Sequence, residues 1–124
     1  MDPLGILLYG YDEQFSEIVR LSVQEIMKRE VLLLNANEKE KSKILEILDG
    51  DTGEEFEDRE SKVLVFLGFS DEEIKKTLAG FPVHKDLPRP IFAVLTEENI
   101  KWTLEDLIEH LEEEKRCVDV KKQK

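Results

Sequence analysis

The sequence lacks the residue combinations that identify most enzymes and metal proteins. Its single cysteine, Cys117, cannot form an internal disulfide, and neither His84 nor His110 has a cysteine or a second histidine at metal-ligand spacing. No glycine-rich phosphate loop, zinc-protease motif or paired-cysteine motif occurs. We therefore predict no metal site, no cofactor and no catalytic residues, and we interpret these three side chains as bystanders.

Long apolar runs and positive charge are also scarce. No run approaches the roughly 20 apolar residues that cross a bilayer, and 29 acidic residues face 18 basic ones, a formal net charge of -11. An overall negative field repels the phosphate backbone of nucleic acids. The composition predicts a soluble, cytoplasmic protein whose partners include neither nucleic acid nor a membrane.

Asparagine and glutamine are rare as well, at three residues each, whereas charged residues make up 38% of the chain. Ion-pair networks and few deamidation-prone amides are typical of proteins from thermophiles. Two interpretations of this composition have equal weight: a thermophilic source, or helices whose charged residues serve only to keep them soluble.

What the sequence does contain is an internal repeat. The stretch LGILLYGYDEQF at 4–15 recurs as KVLVFLGFSDEE at 62–73, and EVLLLN at 30–35 has its counterpart in PIFAVLT at 90–96. Each copy reads as a buried strand, a glycine turn and a helix start, followed by a second strand and helix. We predict a single domain over 1–124, built from βαβα repeats at 4–48 and 62–114 and followed by a charged tail at 115–124.

Each of the four predicted helices begins near a side chain that can accept a backbone N–H group. Asp12 opens the first helix, Ser70 with Glu73 forms a capping box at the third, and Thr103 opens the last. Asn37 is the predicted cap of the second helix. Apolar residues then recur every three or four positions, which predicts helices with one buried face.

Residues 49–61 separate the repeats and read DGDTGEEFEDRES, with seven acidic residues and two glycines. Like charges extend such a segment, and its glycines cost entropy to order, which favours a mobile, solvated linker. The alternative is a cation site, since acidic side chains bind hard cations. The glycine positions do not fit a calcium-binding EF-hand loop, so we favour the linker.

The repeat predicts an α/β fold with a four-stranded, mainly parallel sheet in the order 2-1-3-4 and helices on both faces. Parallel crossovers are right-handed, so two units that run outward from a common centre place their first helices on opposite faces. The approximate twofold axis would then run along the strands. An antiparallel strand is the alternative. The leucine-rich second strand would form an edge that needs cover from a partner or a loop.

Parallel sheets bind ligands at the carboxyl ends of their strands, where the strand order reverses. In the predicted order that point lies between the first and third strands, and two turns would face each other there. Their helix starts offer N–H groups to an anion, although neighbouring acids would repel one. Ordinary turn and capping chemistry is the interpretation we favour over ligand binding. The residues concerned are Gly10, Tyr11, Asp12, Gly68, Phe69 and Ser70.

The stretches GFSDEEI at 68–74 and PRPIFAVLTEENIKWTLEDLIEHL at 88–111 resemble an uncharacterised bacterial domain family, one of the domains of unknown function. The resemblance runs from Lys62 to about Glu114. Its most specific part is the pattern T-x-x-N-x-x-W-T-L. The resemblance implies the fold but no activity, cofactor or catalytic residue. The matching motif residues, which we interpret as structural, are Thr96, Asn99, Trp102, Thr103 and Leu104; for Trp102, contact with the last helix is favoured over a ligand platform.

Three functions are compatible with these observations. The first is a non-enzymatic binding or regulatory module for a small molecule or a protein, suggested by the paired turns. The second is a protein-interaction or oligomeric scaffold, with a homodimer as one form. The third, which we favour least, is an enzyme that uses carboxylates around Asp12 and Asp71, and it requires these groups to converge on one cavity.

Overall fold

In the computed structural model of the chain, strands and helices alternate along the sequence. The structure describes residues 4–82 and 87–122, with 116–122 as backbone only, so His84 and the side chain of Cys117 lie outside the described residues. The elements are β1 (Leu4–Tyr9), α1 (Glu13–Met27), β2 (Val31–Asn35), α2 (Ile44–Leu48), β3 (Val63–Leu67), α3 (Asp71–Gly80), β4 (Ile91–Val94), a 3-10 turn (Asn99–Lys101) and α4 (Leu104–Lys122).

The four strands form one open sheet in the order β2-β1-β3-β4, as predicted. β1 pairs with β2 in parallel, and β3 pairs with β4 in parallel. The two central strands are antiparallel, with Leu7 opposite Val65. The prediction of a mainly parallel sheet was therefore wrong, and the sheet is mixed. Handedness rules govern only crossovers between parallel strands, so the long connection from β2 to β3 left this direction open.

The antiparallel pairing of β1 with β3 also determines which face of the sheet each helix covers. α1 and α3 pack together on one face of the sheet, where Val19 and Val23 join one hydrophobic cluster and Ile74 packs against it. α2 and α4 cover the other face through a second cluster that includes Ile47 and Leu107. Helices cover both faces, as predicted, but the expected separation of α1 from α3 was wrong. When the second unit points the other way, a right-handed crossover brings its helix to the same face.

The pairing of β1 with β3 is symmetric about its centre. Gly5 pairs with Leu67, and Tyr9 pairs with Val63. In the repeat Gly5 corresponds to Val63 and Tyr9 to Leu67, so superposing one repeat on the other exchanges these two pairs. Such symmetry requires a twofold axis normal to the sheet. The predicted axis along the strands is corrected accordingly.

Three predicted helix starts are confirmed by hydrogen bonds. The Phe15 N–H donates to the Asp12 carboxylate at 2.8 Å, and the Glu73 N–H donates to the Ser70 hydroxyl at 3.2 Å. The Asp106 N–H donates to the Thr103 hydroxyl at 3.2 Å. These bonds satisfy donors that have no partner inside the helix.

The predicted Asn37 cap was wrong. α2 begins only at Ile44, and the Asn37 side chain is buried elsewhere, accepting a hydrogen bond from the Gly10 N–H at 3.1 Å. It also donates to the Asn35 side chain at 2.7 Å. A polar side chain that would be costly to bury alone is thereby satisfied.

Segment 49–61 contains no helix or strand, as expected of a linker, but it lies against the sheet. The Gly53 N–H donates to the carbonyl of Asn35, the last residue of β2, at 2.8 Å. The Arg59 N–H donates to the Gly10 carbonyl at 2.9 Å. The segment therefore covers the end of the sheet formed by the carboxyl ends of β1 and β2. None of the helices that the structure describes is long and apolar enough to traverse a bilayer.

Candidate binding groove at the edge of the sheet

The two glycine turns lie at opposite ends of the sheet. Gly10 follows Tyr9, which pairs with Val63 at the start of β3, and Gly68 follows Leu67, which pairs with Gly5 at the start of β1. The predicted crevice between the turns was therefore wrong, because it required parallel central strands. Any ligand role for either turn alone stays a prediction.

The same reversal separates the carboxylates of the enzyme hypothesis. Asp12 precedes α1 at one end of the sheet, and Asp71 begins α3 at the other. Asp12 accepts a helix N–H instead of facing a second acid. These two carboxylates do not converge on one cavity, so this pair lacks the geometry for shared acid–base chemistry.

The turn at Gly10 is filled by the chain itself. Tyr11 is fully buried, and its hydroxyl donates to the Pro88 carbonyl at 2.5 Å. Both backbone polar groups of Gly10 are also used, by Asn37 and by Arg59. The first turn therefore joins the two repeats, and its Gly10 and Tyr11 are buried.

Burial raises the pKa of the Tyr11 hydroxyl. Burial, and to a smaller extent a hydrogen bond to Glu40, raises the pKa of the Tyr9 hydroxyl to about 12. A tyrosine in the unfolded chain ionises near pH 10. Because the folded state holds the proton more tightly, the contribution of Tyr9 to stability is complete below about pH 10 and is lost as the pH rises from about 10 to 12.

We expect the phenolate absorbance of the folded protein to stay flat through about pH 10. It should then rise steeply, together with unfolding seen by circular dichroism. The chain has two tyrosines, so a Tyr11→Phe variant isolates Tyr9 as the control. Ionisation of either tyrosine near pH 10 with the fold intact would contradict the assigned burial.

The turn at Gly68 remains open. Phe69 is partly exposed, and its ring lies 4.9 Å from that of Phe66. Beside it is a largely apolar hollow of about 330 Å³. Its lining residues are Leu48, Phe66, Leu67, Gly68, Phe69, Ile74, Val94 and Leu95.

β4 is an edge strand with backbone groups that point away from the sheet. The Ile91 N–H donates to the Lys62 carbonyl at 2.8 Å and so faces β3. Alternation along a strand then turns the N–H and C=O groups of Phe92 and Val94 outward. Among the described residues, the partner on this side is Asn99, whose Nδ2 donates to the Val94 carbonyl at 3.1 Å.

The family-motif residues shape the chain just after β4. Thr96 and Asn99 bond reciprocally, since the Thr96 N–H donates to Asn99 Oδ1 at 2.8 Å and the Asn99 N–H donates to Thr96 Oγ1 at 3.0 Å. The Trp102 carbonyl accepts from the Ile44 N–H at 2.9 Å, and its ring lies 5.0 Å from the His110 ring. These contacts carry the chain from β4 into α4 and hold Trp102 beside the sheet edge.

A groove of about 320 Å³ runs between β4 and α4. We call it the β4 groove. It combines a strand edge, an aromatic ring and apolar side chains of α4. Its lining residues are Phe92, Ala93, Val94, Thr96, Glu98, Asn99, Trp102, Leu107, His110, Leu111 and Glu114.

The surroundings of this groove are acidic. A second hollow of about 280 Å³, which we call the Trp102 hollow, is lined by Trp102, Asp106, Glu109, His110 and Glu113. Among the described residues that line the two hollows, none is a lysine or an arginine. Arg89 lies at the other end of β4, with its guanidinium 5.0 Å from the centre of the Phe92 ring.

Sequence reasoning directed attention to β2 as the exposed edge and missed β4. Leu32 is indeed half exposed, but both ends of the β2 edge are occupied. The Val31 N–H donates to the Gln24 side chain at 3.2 Å, and the Asn35 carbonyl accepts from Gly53. The predicted order 2-1-3-4 already placed β4 at the other edge of the sheet, and this order could have identified β4 as a second candidate binding edge.

One group of described acidic residues could hold a metal ion. Carboxylate oxygens of Glu38, Glu55 and Glu57 lie within 4.8 Å of one another. A hydrogen bond to Glu57 raises the pKa of the Glu38 carboxyl. Such oxygen ligands suit calcium or magnesium, but nothing else at this position points to an ion.

The fold and the groove define a small α/β domain with a mixed sheet whose β4 edge is largely uncovered among the described residues. Residues 62–118 match the family described as Domain of unknown function (DUF3783). This match confirms the resemblance found in the sequence, and it includes β3, β4 and the residues of the β4 groove. None of the curated proteins and none of the solved structures compared with the chain matches it. The family description assigns no activity.

Proposed function

We propose that this chain is a non-enzymatic binding module that receives an extended segment of a partner protein along β4. Proteins often bind peptides by adding a strand to an uncovered sheet edge, where main-chain hydrogen bonds supply affinity and alternate side chains fill neighbouring pockets. The outward groups of Phe92 and Val94 offer such an edge. Trp102 and Leu111 offer an apolar wall beside it.

The first repeat supports a polypeptide as the occupant. Asn35 and Val94 hold equivalent places, because they pair with Leu8 and Phe66, which correspond in the repeat. At Asn35 the chain's own segment 49–61 supplies a backbone N–H. At Val94 a single asparagine side chain takes that place. A partner segment on β4 would therefore bond to the outward groups of Phe92 and to the Val94 N–H, while Asn99 keeps the Val94 carbonyl.

Edge-to-edge pairing of two copies through β4 is the competing arrangement. Each copy carries a formal net charge of -11. Like charges in close contact oppose association. A different protein segment fits the edge better than a second copy.

The test is a selection of short, randomly encoded displayed peptides on the immobilised full chain, compared with its Val94→Pro variant. Proline removes the outward N–H of Val94, and sheet edges tolerate proline. We expect selected peptides to lose affinity by about tenfold or more on this variant. Val94→Thr keeps the N–H and the β-branch, and should retain affinity within about threefold.

Binding that ignores Val94→Pro, or the absence of any enriched peptide, would refute the proposed edge. If this variant does not fold, amide exchange gives a second measurement on the unaltered protein. A bound strand should protect the Val94 amide, and unchanged exchange at Val94 on peptide binding would also refute the proposal.

A further inference from the structure

We infer that the segment received by β4 is basic and places lysine or arginine side chains near Trp102. This inference rests on the proposed function and adds the chemistry of the partner. Glu98 and Glu114 line the β4 groove, and three more acids, Asp106, Glu109 and Glu113, line the Trp102 hollow.

The charge along β4 is uneven, because Arg89 lies at one end of the strand and the acidic residues lie toward the other. Its guanidinium lies over the rings of Phe81 and Phe92, and it donates to the Leu78 carbonyl at 3.1 Å. Positive charge therefore lies beside Phe92, on the side of the sheet covered by α1 and α3. The carboxylates gather toward Val94 and α4. The basic residues of a partner should accordingly lie beyond Val94, against α4.

Trp102 adds a second reason to expect cations. Lysine and especially arginine side chains stack favourably on the face of an indole ring. His110 covers part of the ring, with the ring centres 5.0 Å apart, and the Trp102 hollow opens beside both residues. An arginine there would contact the aromatic ring and the surrounding carboxylates together, whereas an acidic segment would meet repulsion.

The first measurement is the composition of the peptides selected above. We expect an excess of lysine and arginine over aspartate and glutamate. Trp102 is the single tryptophan, so its fluorescence follows titration with one synthetic peptide from the selection. Binding should weaken by about tenfold or more when salt is raised to about 0.5 M.

The second measurement neutralises the acids around Trp102 by the triple change Asp106→Asn, Glu109→Gln and Glu113→Gln. We expect a loss of affinity of about tenfold. The matched control neutralises three exposed acidic residues in α1 or just after it. Because α1 packs on the face of the sheet opposite α4, these changes should alter affinity by less than about twofold. The control changes are Glu13→Gln, Glu25→Gln and Glu30→Gln.

The outcomes separate this inference from the proposed function. Neutral or acidic peptides that still depend on the Val94 N–H would overturn the basic partner and leave strand addition standing. Equal losses in the two triple variants would also overturn it, because net charge alone would then explain the effect. Peptides whose binding ignores Val94 would refute the proposed function itself.

Discussion

Replacing Gly10 with alanine will destabilise the fold by at least about 3 kcal/mol. Gly10 has a φ of +93°, a conformation that residues with a Cβ rarely adopt. A Cβ built at this position would lie 2.1 Å from the Ser61 carbonyl oxygen. That oxygen belongs to the backbone just before β3, so relieving the contact would require moving the end of the sheet.

Gly50→Ala is the matched control. Gly50 also has a positive φ, +118°, but nothing lies within 4 Å of an added Cβ. Its cost should be the backbone strain alone, about 1 to 2 kcal/mol. Urea unfolding followed by circular dichroism gives both values. Equal losses would contradict the close approach of Gly10 to Ser61, and a Gly10→Ala chain that fails to fold while Gly50→Ala folds would support it.

Changing Asn35 to aspartate will cost about 2 to 4 kcal/mol, the second large effect. The Asn35 amide group donates to the carbonyls of Gly53 and Glu55, at 3.1 and 2.7 Å. Its oxygen accepts from the backbone and side-chain nitrogens of Asn37, at 3.0 and 2.7 Å. The substitution keeps the shape but removes both donors and places a buried charge against two carbonyl oxygens.

Part of this loss should recover as the pH falls through the pKa of the introduced carboxyl, because protonation restores one donor. Amide exchange should accelerate at Gly53, whose N–H bonds to the Asn35 carbonyl. Asn99→Asp is the control, since Asn99 is only half-buried and its NH2 group donates one hydrogen bond, to the Val94 carbonyl, whereas that of Asn35 donates two. It should cost about 1 kcal/mol or less. A loss at Asn35 no greater than at Asn99 would contradict the buried network.

Local signals in the sequence predicted the elements well. The apolar runs at Leu4–Tyr9 and Val63–Leu67 became the central strands, and the side chains of Asp12, Ser70 and Thr103 begin helices as expected. Each of these signals acts over a few residues. The physical cause therefore lies inside the stretch that carries it.

The prediction that Asn37 caps a helix failed because its side chain forms hydrogen bonds with residues brought close by the sheet. Asparagine caps helices well in isolation, but here Asn37 bonds to Gly10 and Asn35 at the end of the sheet. These partners are brought together by strand pairing. Helix propensity near Asn37 could not reveal them.

The candidate site was the least predictable feature, because it depends on which strand edge stays uncovered. β2 and β4 look equivalent in the repeat, and β2 carries the more conspicuous leucines. Segment 49–61 reads as a free acidic linker, yet its backbone covers the end of β2 at Asn35. This long-range contact, with the bond from the Val31 N–H to the Gln24 side chain at the other end, distinguishes the β2 edge from the β4 edge.

The amino-acid sequence thus specified two similar strand and helix units and the order of the strands. The relative direction of β1 and β3 came from packing across the whole molecule, because an apolar strand buried on both faces pairs in either direction with the same side chains inside. That one choice separated Gly10 from Gly68, put α1 and α3 on the same face and set the place of the β4 groove.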